Sequence, residues 1–447
     1  MLTSFSRRSV IGSALVLLAG HHVQAAPIQT VFVVSMENTN WTQNANQFTG
    51  NQQQIFGNPA APFLNSLVNG TLTTTVNGQT ITSQTAYATA YHNVLSTPSG
   101  ANPSIHPSEP NYIWAEAGTN FGVLNDNTPY GPGGTNQNTT QHLSTLLTNA
   151  GKTWKSYQED IDLVKDAGGK LTSTVAPQSQ WTVPLNNVSG SNPGSYVNPY
   201  NKSAQYDYAA KHNPQVFFSD TNGGNNTTPS NPLSQKYAPL QQLQTDLNNN
   251  TVANYNWITP DQFNDMHTAL TGGFTYNGTL FTGGAAKIAQ GDNFLSQFIP
   301  TLMASQAYQD NGAIVLWWDE SEPDGTGNTN DFNHTIGEIV ISELAHPNVN
   351  GVPFASNVNL THSDDLRTMQ NIFGVWQNGY LGDAANAQGL DSLFATGAVA
   401  AVSEPTELSL LLAGLGLIGF ARRRRRADSA GRCLRSDRRA RMTTQTD

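Results

Sequence analysis

Ala313-Ile314-Val315-Leu316-Trp317-Trp318 stops abruptly on Asp319-Glu320. Six apolar residues with no polar alternation read as a strand covered on both faces, the habit of a parallel sheet sandwiched between helices. A strand built for burial that ends on two adjacent acids needs a positive partner there, because an unpaired buried carboxylate is strongly unfavourable. Working outward, Thr30–Met36 (TVFVVSM), Val216–Phe218, Tyr255–Thr259 (YNWIT) and Glu338–Ser342 (EIVIS) read as further buried strands. Amphipathic stretches between them suit helices: His142–Asn149, Leu240–Leu247, Asn293–Ala304 and Asp364–Gly374, the last with Ser363 as its N-cap. This alternation predicts an α/β fold, a mostly parallel central sheet with helices on both faces. The Asn-, Gly- and Thr-rich tracts 131–140 and 221–231 read as long polar loop insertions.

The 447 residues suffice for one large α/β domain or two ordinary ones. At 37% apolar and 12% charged, the chain is neither a coiled coil, a polytopic membrane protein nor a charge-rich disordered polymer. Its net charge of -10 is uneven. Residues 26–403 hold 26 acids against eight Lys and a single Arg, Arg367. Such a segment cannot grip a nucleic-acid backbone with an arginine stripe, and nucleic acid is excluded as a partner. Any phosphate bound there must be neutralised by a metal ion, helix N-termini or histidines. Cys433 is the only cysteine, so no intrachain disulfide contributes.

Both ends read as addresses. In residues 1–25, Arg7-Arg8 precede the apolar run Val10–Gly20 and a small-residue cleavage point, the pattern of a signal peptide, either twin-arginine or ordinary secretory. The protein is expected to be exported to the periplasm, cell surface or medium. Residues 26–383 form the main domain, and 384–403 read as an Ala-rich spacer. In 404–426, Glu404-Pro405, an apolar segment and Arg422–Arg426 resemble a PEP-CTERM sorting signal, which implies an exosortase-like partner, or else form a plain anchor. Residues 427–447 are a basic polar tail. The sequence carries no signal of oligomeric state.

In an open parallel sheet, ligands sit beyond the carboxyl ends of the strands. The first strand runs into Glu37-Asn38, the YNWIT strand into a loop carrying Asp265 and His267, and AIVLWW into Asp319-Glu320. Together these would make a hard-cation site of oxygen and nitrogen donors. Singly, Glu37-Asn38 reads equally as a helix cap and Asp265/His267 as a solvated loop. In His106-Pro107-Ser108-Glu109-Pro110-Asn111-Tyr112, prolines flank a serine at a sharp turn. Ser108 is either a metal-activated nucleophile or a structural turn residue.

HPSEPNY at His106–Tyr112, MEN at Met36–Asn38, WDE at Trp318–Glu320 and LRT at Leu366–Thr368 resemble the acid phosphatase/phospholipase C phosphoesterase family. Further matches are Trp154–Asp160 and Lys211-His212-Asn213-Pro214, so the resemblance runs in order through residues 28–380. It implies an alkaline-phosphatase-like α/β/α sandwich. It also implies that Glu37, Asn38, Ser108, Asp319 and Glu320 bind a divalent metal ion, with Ser108 as nucleophile. His212 and His267 would be catalytic, and Asn38, His92, Asn111, Asp265 and His362 would contact substrate. The expected substrate is a small phosphate ester, hydrolysed through a phosphoserine, with protonated histidine favouring acidic pH. The alternatives are a phospholipid head group cleaved by phospholipase C chemistry, or a surface protein that keeps the fold without catalysis.

Overall fold

The computed structural model describes residues 28–47, 53–76, 79–81, 84–93, 106–129, 133–322 and 334–399. The expected signal peptide, sorting signal and basic tail lie outside the described residues. Among the described residues, no helix is long and apolar enough to cross a membrane.

Eight strands form one sheet: β1 (Thr30–Met36), β2 (Thr85–Ala88), β3 (Trp154–Gln158), β4 (Tyr237–Pro239), β5 (Tyr255–Thr259), β6 (Gly312–Trp318), β7 (Glu338–Ile341) and β8 (Phe354–Ser356). Their order across the sheet is β4-β3-β5-β1-β6-β7-β2-β8. Every pairing in it is parallel except the two made by β7. β1, β5 and β6 are buried almost end to end, as their unalternating apolar runs require. β1 and β6 pair from Thr30 beside Gly312 to Met36 beside Trp318, so both strands end level. Glu37 and Asp319 therefore leave the sheet side by side, and the Asp319 N–H donates to the Met36 carbonyl at 3.2 Å.

The helices used below are α1 (Pro62–Asn69), α2 (Glu109–Ala117), α3 (Leu143–Asn149), α4 (Gln241–Asn248), α5 (Gly283–Met303) and α6 (His362–Phe373). Successive side chains of a strand point to opposite faces. Ser35 of β1 meets the Tyr112 hydroxyl of α2, while Met36 lies against Gly291 of α5. The sheet is thus covered on both sides, with α2, α3 and α6 packed together and α1 on α5. Gly291 has a steric reason: a Cβ there would come within 2.3 Å of Met266 and 3.1 Å of Met36. Helix α1 has Ala61 at its N-cap, which offers no side-chain acceptor. Asp292 of α5 takes over that role, accepting the Phe63 N–H at 3.0 Å and the Leu64 N–H at 2.8 Å.

Several expectations are corrected. Val216–Phe218 is no strand: Pro214–Phe217 is a 3-10 turn, although all three apolar residues are buried. A three-residue apolar run cannot separate a strand from a core turn, and Pro214 starts the turn by fixing its φ. Ser363 is not the cap of α6. Thr361 is, and the Asp364 carboxylate accepts its N–H at 2.8 Å. Helix α5 begins ten residues before Asn293, behind Gly283-Gly284, which masked its start. The stretch read as a spacer packs on the domain as far as Val399, with Leu390, Leu393 and Phe394 buried. Its apolar residues are spaced to cover the edge of the core rather than to remain in solvent.

His142, read as a first-turn helix residue, is the N-cap of α3 and is fully buried. Its Nδ1 lies 3.0 Å from Glu116 of α2 and its Nε2 2.9 Å from Asp220, with the ring stacked on Phe218. Burial opposes its charge, but the hydrogen bonds and negative charges of Asp220 and Glu116 outweigh it, and the imidazole pKa is raised. A raised pKa contributes stability that is full below the unfolded value of about 6.5 and disappears as pH climbs through the folded value. We expect His142→Asn to cost about 3–5 kcal/mol at pH 6 and visibly less at pH 9. Urea denaturation of both proteins across that range checks it, and an equal loss at both ends would refute the charged clamp.

Candidate active site

The site lies where β1, β5 and β6 end. Glu37, Asp265 and Asp319 are fully buried, and Glu320 and Ser108 are nearly so. Ser108 stands directly before α2, so Pro110 and the first turn of the helix hold its hydroxyl at the strand ends. Ser108 Oγ lies 3.2 Å from Glu37 Oε2 and 3.2 Å from Glu320 Oε1. One turn along, Asn111 donates to Glu320 Oε2 at 3.4 Å, and Tyr112 donates to Glu37 Oε1. The structure thus brings Glu37, Ser108, Asn111, Asp319 and Glu320 into one cluster.

Burial pushes the Glu37 carboxyl up to about 8, with the charge of Glu320 adding to it against the opposing influence of Lys211 and the Tyr112 hydrogen bond. Burial and the charges of Glu37 and Glu320 hold Asp319 well above the usual carboxylate range. Burial likewise raises Glu320, though His106 opposes it. Among the described residues, both Asp319 oxygens and the Asn38 Oδ1 are buried without a hydrogen-bond partner. Three crowded carboxylates, a hydroxyl and an orphaned amide oxygen fit a hard divalent cation, whose charge would return each acid to its ionised form. Glu37, Asn38, Ser108, Asp319 and Glu320 are the residues that would hold it.

Beside this set, His212 Nε2 is 3.1 Å from Glu37 Oε1 and its Nδ1 is 3.6 Å from Asp265 Oδ2. These three residues could also hold a metal ion together. The His212 ring stacks on Tyr112 and lies 5.9 Å, centre to centre, from His267. Half-buried His267 is held by its N–H on Asp265 Oδ1 at 2.8 Å. Burial and nearby lysines lower both imidazoles, His267 to about 4 and His212 well below its usual value. Both shifts disfavour, in the ligand-free site, the imidazolium expected from the sequence. His92, also lowered to about 4 by burial, hydrogen-bonds the His334 carbonyl at 3.2 Å. His362 is wholly buried behind the Asp319-Glu320 turn, with Nε2 at 2.6 Å from the Asp319 carbonyl, so its ring faces the main chain of Asp319 rather than a pocket.

Two further side chains, His106 and Lys211, belong with this cluster. His106 Nδ1 is 3.0 Å from Glu320 Oε2. Lys211 pairs with Asp126 at 2.7 Å, and Asp126 also accepts the Glu109 N–H at 3.1 Å, joining the lysine to the turn that carries Ser108. Their only sequence signal was membership of the HPSEPNY and KHNP segments. A second acidic trio, Glu159, Asp160 and Asp261, is buried behind Asp265. Its oxygens are met by Asn198, Asn264, Tyr196 and backbone N–H groups. It braces the loop after β5.

The sequence profile of the Phosphoesterase family matches residues 20–375. A phosphatidylinositol-3-phosphatase of Mycobacterium tuberculosis is 26% identical over 339 residues, which span 74% of this chain and 76% of that protein. An acid phosphatase of Aspergillus fumigatus is 24% identical over 241 residues, 54% of this chain and 41% of that protein. A probable acid phosphatase of Kluyveromyces lactis is 24% identical over 54% of this chain and 44% of its own. The match thus spans less than half of either acid phosphatase. Among solved structures, a protein in the alkaline phosphatase superfamily from Vibrio parahaemolyticus aligns over 78% of this chain and 67% of its own, with a TM-score of 0.42 and 11% identity.

A carboxyl whose folded pKa is raised costs stability above its unfolded pKa, and the cost vanishes below about pH 4, where both states are protonated. Asp319→Asn should therefore stabilise the metal-free protein at pH 8, by about 1–2 kcal/mol, and leave it unchanged near pH 4. The same variant should forfeit the gain of about 2.7 kcal/mol that a cation at a hundred times its Kd gives the wild type. Urea titrations with and without Mn²⁺ measure both. A variant less stable at pH 8 without metal would contradict the crowded-carboxylate account.

Proposed function

This chain belongs to the Phosphoesterase family and is a hydrolase of phosphoric esters, and we propose that it is an exported, metal-dependent phosphatase that cleaves phosphate monoesters through a phosphoserine. The observation that carries this reading is Ser108, whose hydroxyl sits 3.2 Å from each of two buried carboxylates, Glu37 and Glu320, beside the unpartnered carboxylate of Asp319. A bound divalent cation would supply Lewis acidity there, lowering the pKa of the serine hydroxyl and offsetting phosphoryl charge.

The chain's own groups do the rest. Ser108 Oγ attacks phosphorus in line, and its proton passes to Glu37 or Glu320, the carboxylates already within reach. The P–O bond to the leaving group breaks as the Oγ–P bond forms. His267 or His212 protonates the departing alkoxide, and in the half-buried position His267 is the more accessible of the two. Asn111 and Asn38 hold equatorial oxygens, and Lys211 adds positive charge that a core with one arginine otherwise lacks. Water then attacks the phosphoserine, releasing inorganic phosphate and restoring the hydroxyl. The relatives' phosphatase names favour a monoester, one of them on a phosphoinositide, over the diester of a phospholipase C.

The test uses residues 26–402 with p-nitrophenyl phosphate across pH 4–9, with and without chelator. We expect chelator to abolish turnover and a divalent metal to restore it. Ser108→Ala should lose about a thousandfold or more in kcat. Hydrolysis of phosphatidylinositol 3-phosphate beside phosphatidylcholine separates lipid monoester from diester cleavage. Full activity in Ser108→Ala would sink the covalent mechanism, and a folded protein with no turnover on any ester under any divalent metal would sink the enzymatic reading.

A further inference from the structure

The two-residue strand Leu360–Thr361 pairs in parallel with Tyr91–His92, which sets His362, the first residue of α6, against Tyr91 and the end of β6. Its ring is completely buried, and two of its polar contacts, one at each nitrogen, have a fixed direction. The Trp317 indole Nε1, which can only donate, lies 2.9 Å from His362 Nδ1. The Asp319 main-chain carbonyl, which can only accept, lies 2.6 Å from Nε2. Nδ1 must therefore be the bare acceptor and Nε2 must carry the proton. The Tyr91 hydroxyl is also 2.7 Å from Nδ1 and bonds Asp365, whose carboxyl meets that of buried Glu338. A buried chain thus runs from Glu338 and Asp365 through Tyr91 and His362 to the peptide that joins Asp319 to Glu320.

We propose that His362 is a positioning residue, fixed as its Nε2–H tautomer by the Trp317 indole N–H on one side and the Asp319 carbonyl on the other, that clamps the Asp319–Glu320 peptide and thereby aims both carboxylates at the cation. This assignment rests on the metal-site reading above and departs from the substrate contact that the sequence implied for His362. Asp319 is held at both of its main-chain polar groups. The Asp319 N–H donates to Met36 of β1 at 3.2 Å, and its carbonyl accepts from His362. With only the first, the turn could rotate about its remaining bonds and the two carboxylates would lose their shared aim. Groups that orient metal ligands from behind typically account for about 10–100-fold in metal affinity.

The experiment measures Mn²⁺ binding to the metal-stripped protein by calorimetry, beside ¹⁵N NMR of the histidine side chains. We expect His362→Leu to weaken Mn²⁺ by about 10–100-fold. His362→Gln, whose amide can still donate to the Asp319 carbonyl, should recover most of that affinity, a rescue that a purely space-filling role would not show. In the wild type, the His362 resonances should report a neutral Nε2–H ring. Folded His362→Leu with wild-type Mn²⁺ affinity would overturn the clamp while leaving the metal site standing, and a wild type that binds no divalent cation would overturn both. Should the leucine variant fail to fold, an Nδ1–H tautomer in the wild type, or His362→Gln binding Mn²⁺ 10-fold or more weaker, would reject it.

Discussion

Everything about this site depends on the register between β1 and β6. Because Met36 pairs with Trp318, the two strands run out together and deliver Glu37 and Asp319 to the same point. A slip of one residue would turn each side chain to the other face and separate the acids. The register is secured by buried residues along both strands, so the apolar core and the acidic site are one construction. Helix α2 completes it. Its first turn supplies Ser108, Asn111 and Tyr112, all within reach of the carboxylates that the strands present.

Such an arrangement is unfavourable by itself. Glu37, Asp319 and Glu320 all have raised pKa values because burial strips them of water and they repel each other. The protein tolerates this through donors that never leave the fold: Tyr112, His106 and Asn111 on the carboxylates, and Lys211 tied down by Asp126. The same device recurs at a second acidic trio, which could also hold a metal ion. Glu159, Asp160 and Asp261 are satisfied by asparagines, a tyrosine and backbone N–H groups, and they hold the loop that carries Asp265 and His267. The contrast lies in the leftover oxygens. Each carboxylate oxygen of that trio has a hydrogen-bond partner, whereas both Asp319 oxygens and the Asn38 Oδ1 have none.

The central strands were legible because β1, β5 and β6 are long, apolar and buried on both faces, and their terminal acids marked the site. The strands outside this centre were not. Trp154–Gln158 alternates Trp, Lys, Ser and Tyr, and Thr85–Ala88 and Phe354–Ser356 are too short to show a period. Those strands exist because neighbours offer them hydrogen bonds, a property of the sheet rather than of the segment. The clustered residues Glu37, Ser108, Asp319 and Glu320 were readable as a set, since each follows a strand or sits in a proline-bounded turn. The supporting groups were harder to see. His106, Tyr112 and Lys211 sit inside the segments that were noticed, but nothing in spacing distinguishes a carboxylate's partner from an ordinary polar residue. His362 shows the converse limit: the family resemblance implied a substrate contact, while its tertiary partners, Trp317, Tyr91 and the Asp319 carbonyl, set it behind the Asp319-Glu320 turn.

The neutral histidines connect electrostatics to chemistry. Residues 26–403 carry one arginine, so the site lacks the permanently charged guanidinium that would bind phosphate whether or not a reaction is under way. Burial and Lys211 instead hold the His212 and His267 imidazoles below their usual pKa. In the proposed mechanism a phosphoryl group carrying two negative charges would favour protonation of the rings beside it, and the substrate itself would recruit the proton that the leaving alkoxide needs. A group charged only when substrate is present adds nothing to the repulsion or attraction of the empty site. It also leaves after product does, since releasing phosphate removes the charge that held the proton. Histidine can serve in both states where arginine can serve in one, and that fits a site whose acids are already crowded to the limit that burial allows.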